Sequence, residues 1–140
     1  MTATERADRA EELFKAGCNC SQAVFAAFAD ELGLDETLSK RLACGLGGGV
    51  GRMREVCGAV TAAAMVIGMR RGPDKTAAYP AVQEFCARFR EETGSIVCRE
   101  LLGGTGATAG GAPEERTANY YAQRPCVELV RLAARLLNAF

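Results

Sequence analysis

Cysteines are the residues of this chain most able to do chemistry: there are seven of them, and there is no histidine. Without an imidazole, a Ser-His-Asp triad, a Cys-His dyad, an HExxH zinc peptidase and a histidine-ligated haem are all excluded. Thiols in a reducing compartment act as nucleophiles, redox-active pairs or metal ligands. The sequence therefore predicts that any chemistry takes place at sulfur.

Four of the cysteines share a place in their local structure, because each follows a helix-start signal. These pairs of signal and cysteine are Asn19 with Cys20, Glu55 with Cys57, Ser95 with Cys98, and Pro125 with Cys126. The unpaired N–H groups of a first turn, together with the helix dipole, favour negative charge there. We therefore expect lowered thiol pKa values at these positions. If the four helix starts converge, their sulfurs can hold a metal or act as redox-active thiols.

The other three cysteines give weaker signals. Cys18 forms a CxC pair with Cys20 and could exchange with it or share a metal. Cys44 ends a predicted helix, where the dipole opposes a thiolate, and Cys86 lies on an apolar helical stripe. Both are predicted to be core residues.

A glycine-rich loop, GLGGGVG, covers residues 45–51. It fits neither GxGxxG nor GxxxxGK[ST] and no strand precedes it, so we expect no nucleotide cofactor. We expect its glycines to allow close backbone approach or positive φ beside Cys57. Arg52 and Arg54 follow the loop and either stabilise a thiolate, meet an anionic partner, or form a solvated loop face.

The elements that position these residues are predicted to be helices throughout, because no stretch alternates with period two and alanine is abundant. The fold class is therefore all-α: a compact single-domain bundle of about six helices over residues 1–140, with the glycine loop before a central apolar helix. Residues 103–119 are predicted to be a flexible loop. The expected helices run from about Thr4 to Lys15, from Asn19 or Cys20 to Gly33, from Asp35 to before Gly45, from Glu55 to Arg70, from around Pro80 onward, from Ser95 to Leu102, and from Pro125 to the C-terminus.

Charge and hydropathy limit the partners. Lys+Arg and Asp+Glu are equal at 17 each, so there is no basic field for nucleic acid. The N-terminus is charged and amphipathic, unlike a secretory signal, and the expected compartment is the cytoplasm. The longest uncharged apolar run, Val56 to Met69, is shorter than the roughly 20 residues of a membrane span. We expect no membrane partner.

Four segments of the chain resemble the redox-active C_GCAxxG_C_C family. They are GCNCSQAVFAAFADELGLDE, GLGGGVGRMREVCGAVTAAAMVIGMRRG, CRELLG and RPCVELVRLAARLL. The resemblance runs from about Gly17 to the last helix, and it implies that Cys20, Cys57, Cys98 and Cys126 are the four defining cysteines. Where the family's CGAxxG segment ends in glycine this chain has Ala62, so close backbone packing there is expected to be relaxed.

A similar domain occurs in split-Soret cytochromes, and the resemblance implies iron–sulfur ligation by the four cysteines. The haem of those proteins does not carry over, because the chain has no CxxCH. The leading hypothesis is therefore a redox protein with an iron–sulfur cluster, acting in electron transfer or sensing with an unidentified redox partner protein.

Three alternatives stay open: a metal-free thiol–disulfide protein, a structural zinc site with four cysteine ligands, and a helical interaction module with buried cysteines. The wide spacing of the four cysteines weakens the zinc hypothesis, because zinc ribbons and knuckles use close CxxC pairs. The sequence does not decide between enzyme and carrier, and it leaves a homodimer open.

Overall fold

The computed structural model describes all 140 residues, and its regular elements are helices. The only extended pairing is an isolated antiparallel bridge between Val56 and Val97. The all-α fold class is confirmed. The helices are α1 (Ala3–Lys15), α2 (Cys20–Ala26), α3 (Ala29–Leu32), α4 (Glu36–Ala43), α5 (Gly58–Arg71), α6 (Lys75–Thr93), α7 (Cys98–Leu101), α8 (Ala118–Gln123) and α9 (Cys126–Leu136), with 3₁₀ turns at Cys44–Leu46 and Leu137–Ala139.

Nine α-helices replace the roughly six that were expected, for local reasons. The second predicted helix is divided into α2 and α3, because Phe28 N–H bonds to the carbonyl of Phe25 (3.1 Å) and tightens the turn. α6 starts before Pro80, because Asp74 accepts the N–H of Thr76 at 2.9 Å and caps the helix there. α8 falls where no helix was predicted, capped by Thr117.

The core lies between α1, α2, α5, α6 and α9. α1 packs against α9 and α2, and α5 packs against α2, α6 and α9. The largest fully buried side chains are Phe14, Phe25, Phe28, Phe85, Phe89, Ile67, Leu137, Val24, Val66 and Val130. The predicted central apolar helix is thus α5, which packs against α2, α6 and α9. That residues 1–140 form a single domain stays a prediction.

Phe28 connects this core to a pair of charged side chains. The guanidinium carbons of Arg6 and Arg70 lie 4.7 and 5.3 Å from the centroid of its ring. Arg6 is itself buried, and its Nη1 donates to the carbonyl of Ala27 at 2.7 Å and to Asp30. A fully buried aromatic ring between two cations combines area burial with cation–π attraction.

The glycine-rich loop folds into a left-handed coil. Five consecutive residues have positive φ, namely Gly48, Gly49, Val50, Gly51 and Arg52, and Arg54 follows with φ +60°. Such φ values strain residues that carry a Cβ, above all the β-branched Val50. Backbone hydrogen bonds hold the coil, including those from Glu55 N–H to Gly49 and from Arg54 N–H to Gly48 (2.9 and 3.1 Å). Positive φ was expected at the glycines; its extension to three other residues is a tertiary feature.

Residues 103–119 lie over this coil and are attached to it by arginine side chains. Arg52 Nε donates to the carbonyl of Gly110 at 2.9 Å, and Arg54 Nε donates to the carbonyl of Thr108 at 2.9 Å. The flexibility of this segment stays a prediction. None of the nine helices combines the length and the apolar character that a transmembrane helix requires.

We predict that Phe28→Ala lowers the free energy of unfolding by about 3–5 kcal/mol, because it empties a fully buried site and removes both cation–π contacts. Urea denaturation followed by circular dichroism measures the change. Tyr79→Ala is the matched control, since the exposed Tyr79 should change stability by no more than about 0.5 kcal/mol. Equal effects of the two substitutions would contradict the packing described.

Candidate functional site

Each of the four predicted site cysteines stands at the start of a helix. Cys20, Cys98 and Cys126 are the first residues of α2, α7 and α9, and Cys57 is the N-cap of α5. The capping box between Asn19 and Gln22 forms as predicted. The other three helices begin a few residues away from their predicted start signals.

Three start signals act differently from the prediction. Glu55 lies outside α5 and pairs instead with the α7 segment, and Pro125 is the N-cap of α9. Ser95 does not cap α7, whose N-cap is Val97; its hydroxyl accepts the N–H of Val97 at 2.9 Å. Although the expected signals were partly wrong, the cysteines occupy the expected positions.

The bridge between Val56 and Val97 brings two of the cysteines together. Cys57 N–H bonds to the carbonyl of Ile96 at 2.8 Å, and Cys98 N–H bonds to the carbonyl of Glu55 at 2.6 Å. Each cysteine directly follows a bridge residue, so the starts of α5 and α7 are held side by side. This contact joins residues about forty positions apart, and nothing in the local sequence indicates it.

All four cysteines line one cavity of about 60 Å³ at the meeting point of these helix starts. Its wall also contains backbone from the glycine coil and three arginines. The lining residues are Phe14, Asn19, Cys20, Gly48, Arg54, Cys57, Gly58, Cys98, Leu101, Leu102, Arg116, Tyr120, Arg124, Cys126 and Leu129.

The sulfur of Cys20 is held most closely by backbone. The backbone N–H groups of Gly48, Ser21 and Gly58 lie near it and act to lower its pKa. A Cβ added at Gly58 would lie 2.4 Å from this sulfur, so only glycine leaves room for it. A Cβ at Gly49 would likewise lie 2.7 Å from Cys98 Cβ. The close approach expected of the loop glycines beside Cys57 is therefore made by Gly49 to Cys98 instead, and the approach to Cys20 is made by Gly58, outside the loop.

The prediction of lowered thiol pKa values is wrong for three of the four cysteines. Burial raises the pKa of Cys57, and the neighbouring Cys20 raises it further. Burial also raises the pKa of Cys20, against the opposing effect of these three N–H groups. In Cys126, burial and the nearby Cys20 raise the pKa to about 11. Desolvation of a thiolate thus outweighs the first-turn N–H groups, and without a metal these thiols are protonated at neutral pH.

Cationic side chains face the cavity. Arg54 is buried, and its Nη1 donates to Cys98 Sγ at 3.7 Å, so the expectation of a solvated loop face is wrong for this residue. Arg116 has no acidic partner; it donates to the carbonyls of Phe14 and Cys18 at 3.0 and 2.8 Å. The environment therefore favours negative charge in the cavity.

Tyr120 links the cysteines to these cations. Its hydroxyl lies near Cys126 and acts to lower the pKa of that thiol, and its ring centroid lies 5.0 Å from the guanidinium carbons of both Arg116 and Arg124. Burial raises the pKa of Tyr120 to about 12. It therefore stays protonated and able to donate at physiological pH.

A family model described as "Putative redox-active protein (C_GCAxxG_C_C)" matches residues 18–140. The chain belongs to this family. No curated protein and no solved structure matches the chain. The assignment of the family's four defining cysteines to Cys20, Cys57, Cys98 and Cys126 stays a prediction. Ala62, which the resemblance places at the signature's last glycine, is fully buried in α5.

The three cysteines outside the quartet do not line the cavity. Cys18 is buried, and the charges nearest its thiol are those of Lys40 and Glu36. Cys86 is half-buried and packs against the edge of the core. Cys44 is exposed, so its prediction as a core residue is wrong: the 3₁₀ turn that begins at Cys44 directs its side chain outward.

The four cysteines are not a preassembled site for a single ion. No group of three or more cysteine, aspartate or glutamate side chains lies close enough to hold one metal ion. The structure therefore brings the four thiols to one cavity, and it leaves their sulfurs apart on its wall.

Three residues of this wall were missed from sequence: Arg116, Tyr120 and Arg124. Only Arg124 carries a local signal, which is an arginine shortly before a site cysteine. Arg124 stands two residues before Cys126, and Arg54 stands three residues before Cys57. Arg116 lies within residues 103–119, which are predicted to be a flexible loop, and Tyr120 directly follows them.

Gly58→Ala should displace the Cys20 sulfur and lower the free energy of unfolding by about 1–3 kcal/mol, because the new Cβ would lie 2.4 Å from Sγ. Gly68→Ala, in the same helix with nothing near the added Cβ, should be neutral or stabilising by up to about 1 kcal/mol. Chemical denaturation compares the two. A Gly58→Ala variant as stable as Gly68→Ala would count against the close approach.

Alkylation of the metal-free, reduced protein should depend strongly on pH at Cys126. With a pKa of about 11, its reaction with iodoacetamide should rise about tenfold per pH unit from pH 8 and level off near pH 11. Exposed Cys44 should be modified first at pH 7.5. Peptide mass spectrometry follows both sites, and equal labelling of the two at pH 7.5 would contradict the raised pKa of Cys126.

Proposed function

We propose that the protein is a small cytoplasmic redox protein in which Cys20, Cys57, Cys98 and Cys126 hold an iron–sulfur cluster for electron transfer or sensing. The observation that carries the proposal is the convergence of these four cysteines, from four separate helix starts, on one cavity. A partner redox protein would supply or accept the electrons.

The chemistry of the donors fits such a group. Four cysteine thiolates are the usual ligands of [2Fe–2S] and [4Fe–4S] clusters, which supply one-electron transfer. Gly58 and Gly49 keep side chains away from Cys20 and Cys98, so that these two sulfurs have space on the cavity wall. No three thiols reach a common ion, and a cluster of two or four irons does not require them to do so.

The separation of the sulfurs supports a polynuclear cluster over a single zinc ion. Zinc requires all four sulfurs at about 2.3 Å from one point. A cluster distributes its ligands over two or more irons, so the sulfurs lie farther apart. Structural zinc therefore remains the weaker metal alternative.

The charges around the cavity also support bound thiolates. Four thiolates around iron carry a net negative charge, and burying a charge is costly unless it is paired. Arg54, Arg116 and Arg124 line the cavity, and the N–H groups of Gly48 and Gly58 lie near Cys20. These groups offset the anionic charge of a metal–thiolate site without a change of fold.

A metal-free thiol–disulfide protein is the second candidate, and the absence of a three-ligand group in the structure favours it. The pKa values oppose it, because buried and protonated thiols are poor nucleophiles at neutral pH. Metal coordination instead deprotonates a thiol outright. The raised thiol pKa values therefore favour the metal hypothesis over the metal-free one.

Anaerobic preparation of the full chain tests the proposal. We expect visible charge-transfer absorption, iron and acid-labile sulfide, all lost in single Cys→Ser variants at Cys20, Cys57, Cys98 or Cys126. Cys86→Ser and Cys44→Ser are the matched controls and should keep them, since neither residue lines the cavity.

Other outcomes identify the alternatives. Stoichiometric zinc without iron would establish the zinc site. A colourless, metal-free protein with a reversible two-electron potential in the range of cytosolic dithiols, lost in Cys57→Ser, would establish the thiol–disulfide function. Iron binding that survives in all four variants would refute the proposed ligands.

A further inference from the structure

One carboxylate next to the thiol cavity is bound by three arginines. Arg52 Nη1 and Arg54 Nη2 donate to Glu114 Oε1 at 2.8 and 3.3 Å, and Arg124 Nη2 donates to Glu114 Oε2. No other acidic residue pairs with these three arginines. Arginine recognises carboxylates and other oxyanions through such charge-assisted hydrogen bonds.

The three guanidiniums converge from parts of the chain that do not include Glu114. Arg52 and Arg54 lie at the end of the left-handed coil, where their N–H groups bond to the carbonyls of Gly47 and Gly48. Arg124 ends α8, and its N–H bonds to the carbonyl of Tyr120. Local backbone hydrogen bonds thus hold all three arginines, and the carbonyl of Arg52 also accepts the N–H of Gly110, in the segment that carries the carboxylate, at 2.9 Å.

The positive charge exceeds what one carboxylate neutralises. The side chains of Arg54 and Arg124 are 8% and 7% exposed, and that of Glu114 is 33% exposed. Three arginines and one carboxylate leave two net positive charges at a largely buried site. Buried arginines in such excess favour an anion with more charge than one carboxylate has.

A second cavity of about 450 Å³ opens at this cluster. Its lining is almost entirely polar and includes Arg52, Glu114 and Arg124, so solvent ions reach the guanidiniums through it. Tyr120 and Arg124 belong to the walls of both cavities. A ligand held here would lie one side-chain layer from the cysteines.

We propose that the arginines Arg52, Arg54 and Arg124 form a binding site for a small oxyanion that carries more than one negative charge, and that Glu114 occupies this site from within the chain until the ligand replaces it. Glu114 belongs to the segment of residues 103–119, which also bonds to Arg52 and Arg54 through the carbonyls of Gly110 and Thr108. Replacement of Glu114 would loosen this segment over the thiol cavity. That consequence rests on the proposed redox function of the cavity; anion binding itself does not.

Isothermal titration with inorganic phosphate, at constant ionic strength, tests the binding site. Glu114→Gln removes the internal competitor, so phosphate should bind at least about tenfold more tightly than to the wild type. Glu115→Gln is the matched control: the neighbouring carboxylate has no arginine partner, and its variant should bind phosphate as the wild type does. Equal phosphate affinity of the two variants would overturn the proposal.

A second variant keeps the test valid if Glu114→Gln does not fold. Arg52→Gln, introduced alone, should bind phosphate more weakly than the wild type does. Arg52 lines the open cavity and donates to the carboxylate of Glu114. Unchanged phosphate binding in Arg52→Gln would also overturn the proposal.

Access to the thiols is tested separately on reduced, metal-free protein. Phosphate should accelerate iodoacetamide labelling of Cys126 relative to Cys44, and sodium chloride at the same ionic strength should not. Phosphate binding without this acceleration would refute the coupling to the cavity. Absence of iron from the anaerobic preparation would refute the iron–sulfur proposal and leave the anion site standing.

Discussion

Four cysteine sulfurs lie around one small cavity in a helical core, and the cost of placing charge there constrains the surrounding structure. Burial raises the pKa of Cys57, Cys20 and Cys126, in part because the thiols lie close enough to oppose each other's ionisation. Deprotonation for redox chemistry or metal binding therefore needs compensating positive charge. The fold provides it in two forms: backbone N–H groups at helix starts and in the glycine coil, and the guanidinium groups of Arg54, Arg116 and Arg124.

The unusual backbone of the molecule follows from this requirement. The left-handed coil places the N–H of Gly48 near Cys20 and Arg54 beside Cys98, although Val50, Arg52 and Arg54 carry unfavourable φ values. Strain of this kind persists only where the surrounding structure enforces it, and it concentrates at functional sites. The bridge between Val56 and Val97 has a similar role, because it holds the starts of α5 and α7 together. Glu114 connects the coil and the end of α8 to the segment above them, so the anion proposed for its place would act on the same framework.

Much of the fold was predictable, because its signals are local. Capping residues such as Asn19 and Asp35 define helix starts by their own side-chain hydrogen bonds, and the apolar run in α5 requires burial whatever its neighbours are. The errors occur where tertiary packing overrides such signals. A tight turn at Phe28 divides one predicted helix, and Cys44 is exposed because a 3₁₀ turn directs it away from the core.

At the site, the sequence by itself determined which chemistry is available: sulfur without imidazole, with four cysteines at helix starts, in a chain of a redox-active family. Residue type and helix position are local properties, so they can be read along the chain. Only the tertiary structure decided that the four thiols share a cavity, that Arg116, Tyr120 and Arg124 complete its wall, and that burial outweighs the helix starts in setting the thiol pKa values. Desolvation and charge pairing depend on which distant segments cover a side chain, and these are the long-range contacts that a local pattern does not contain.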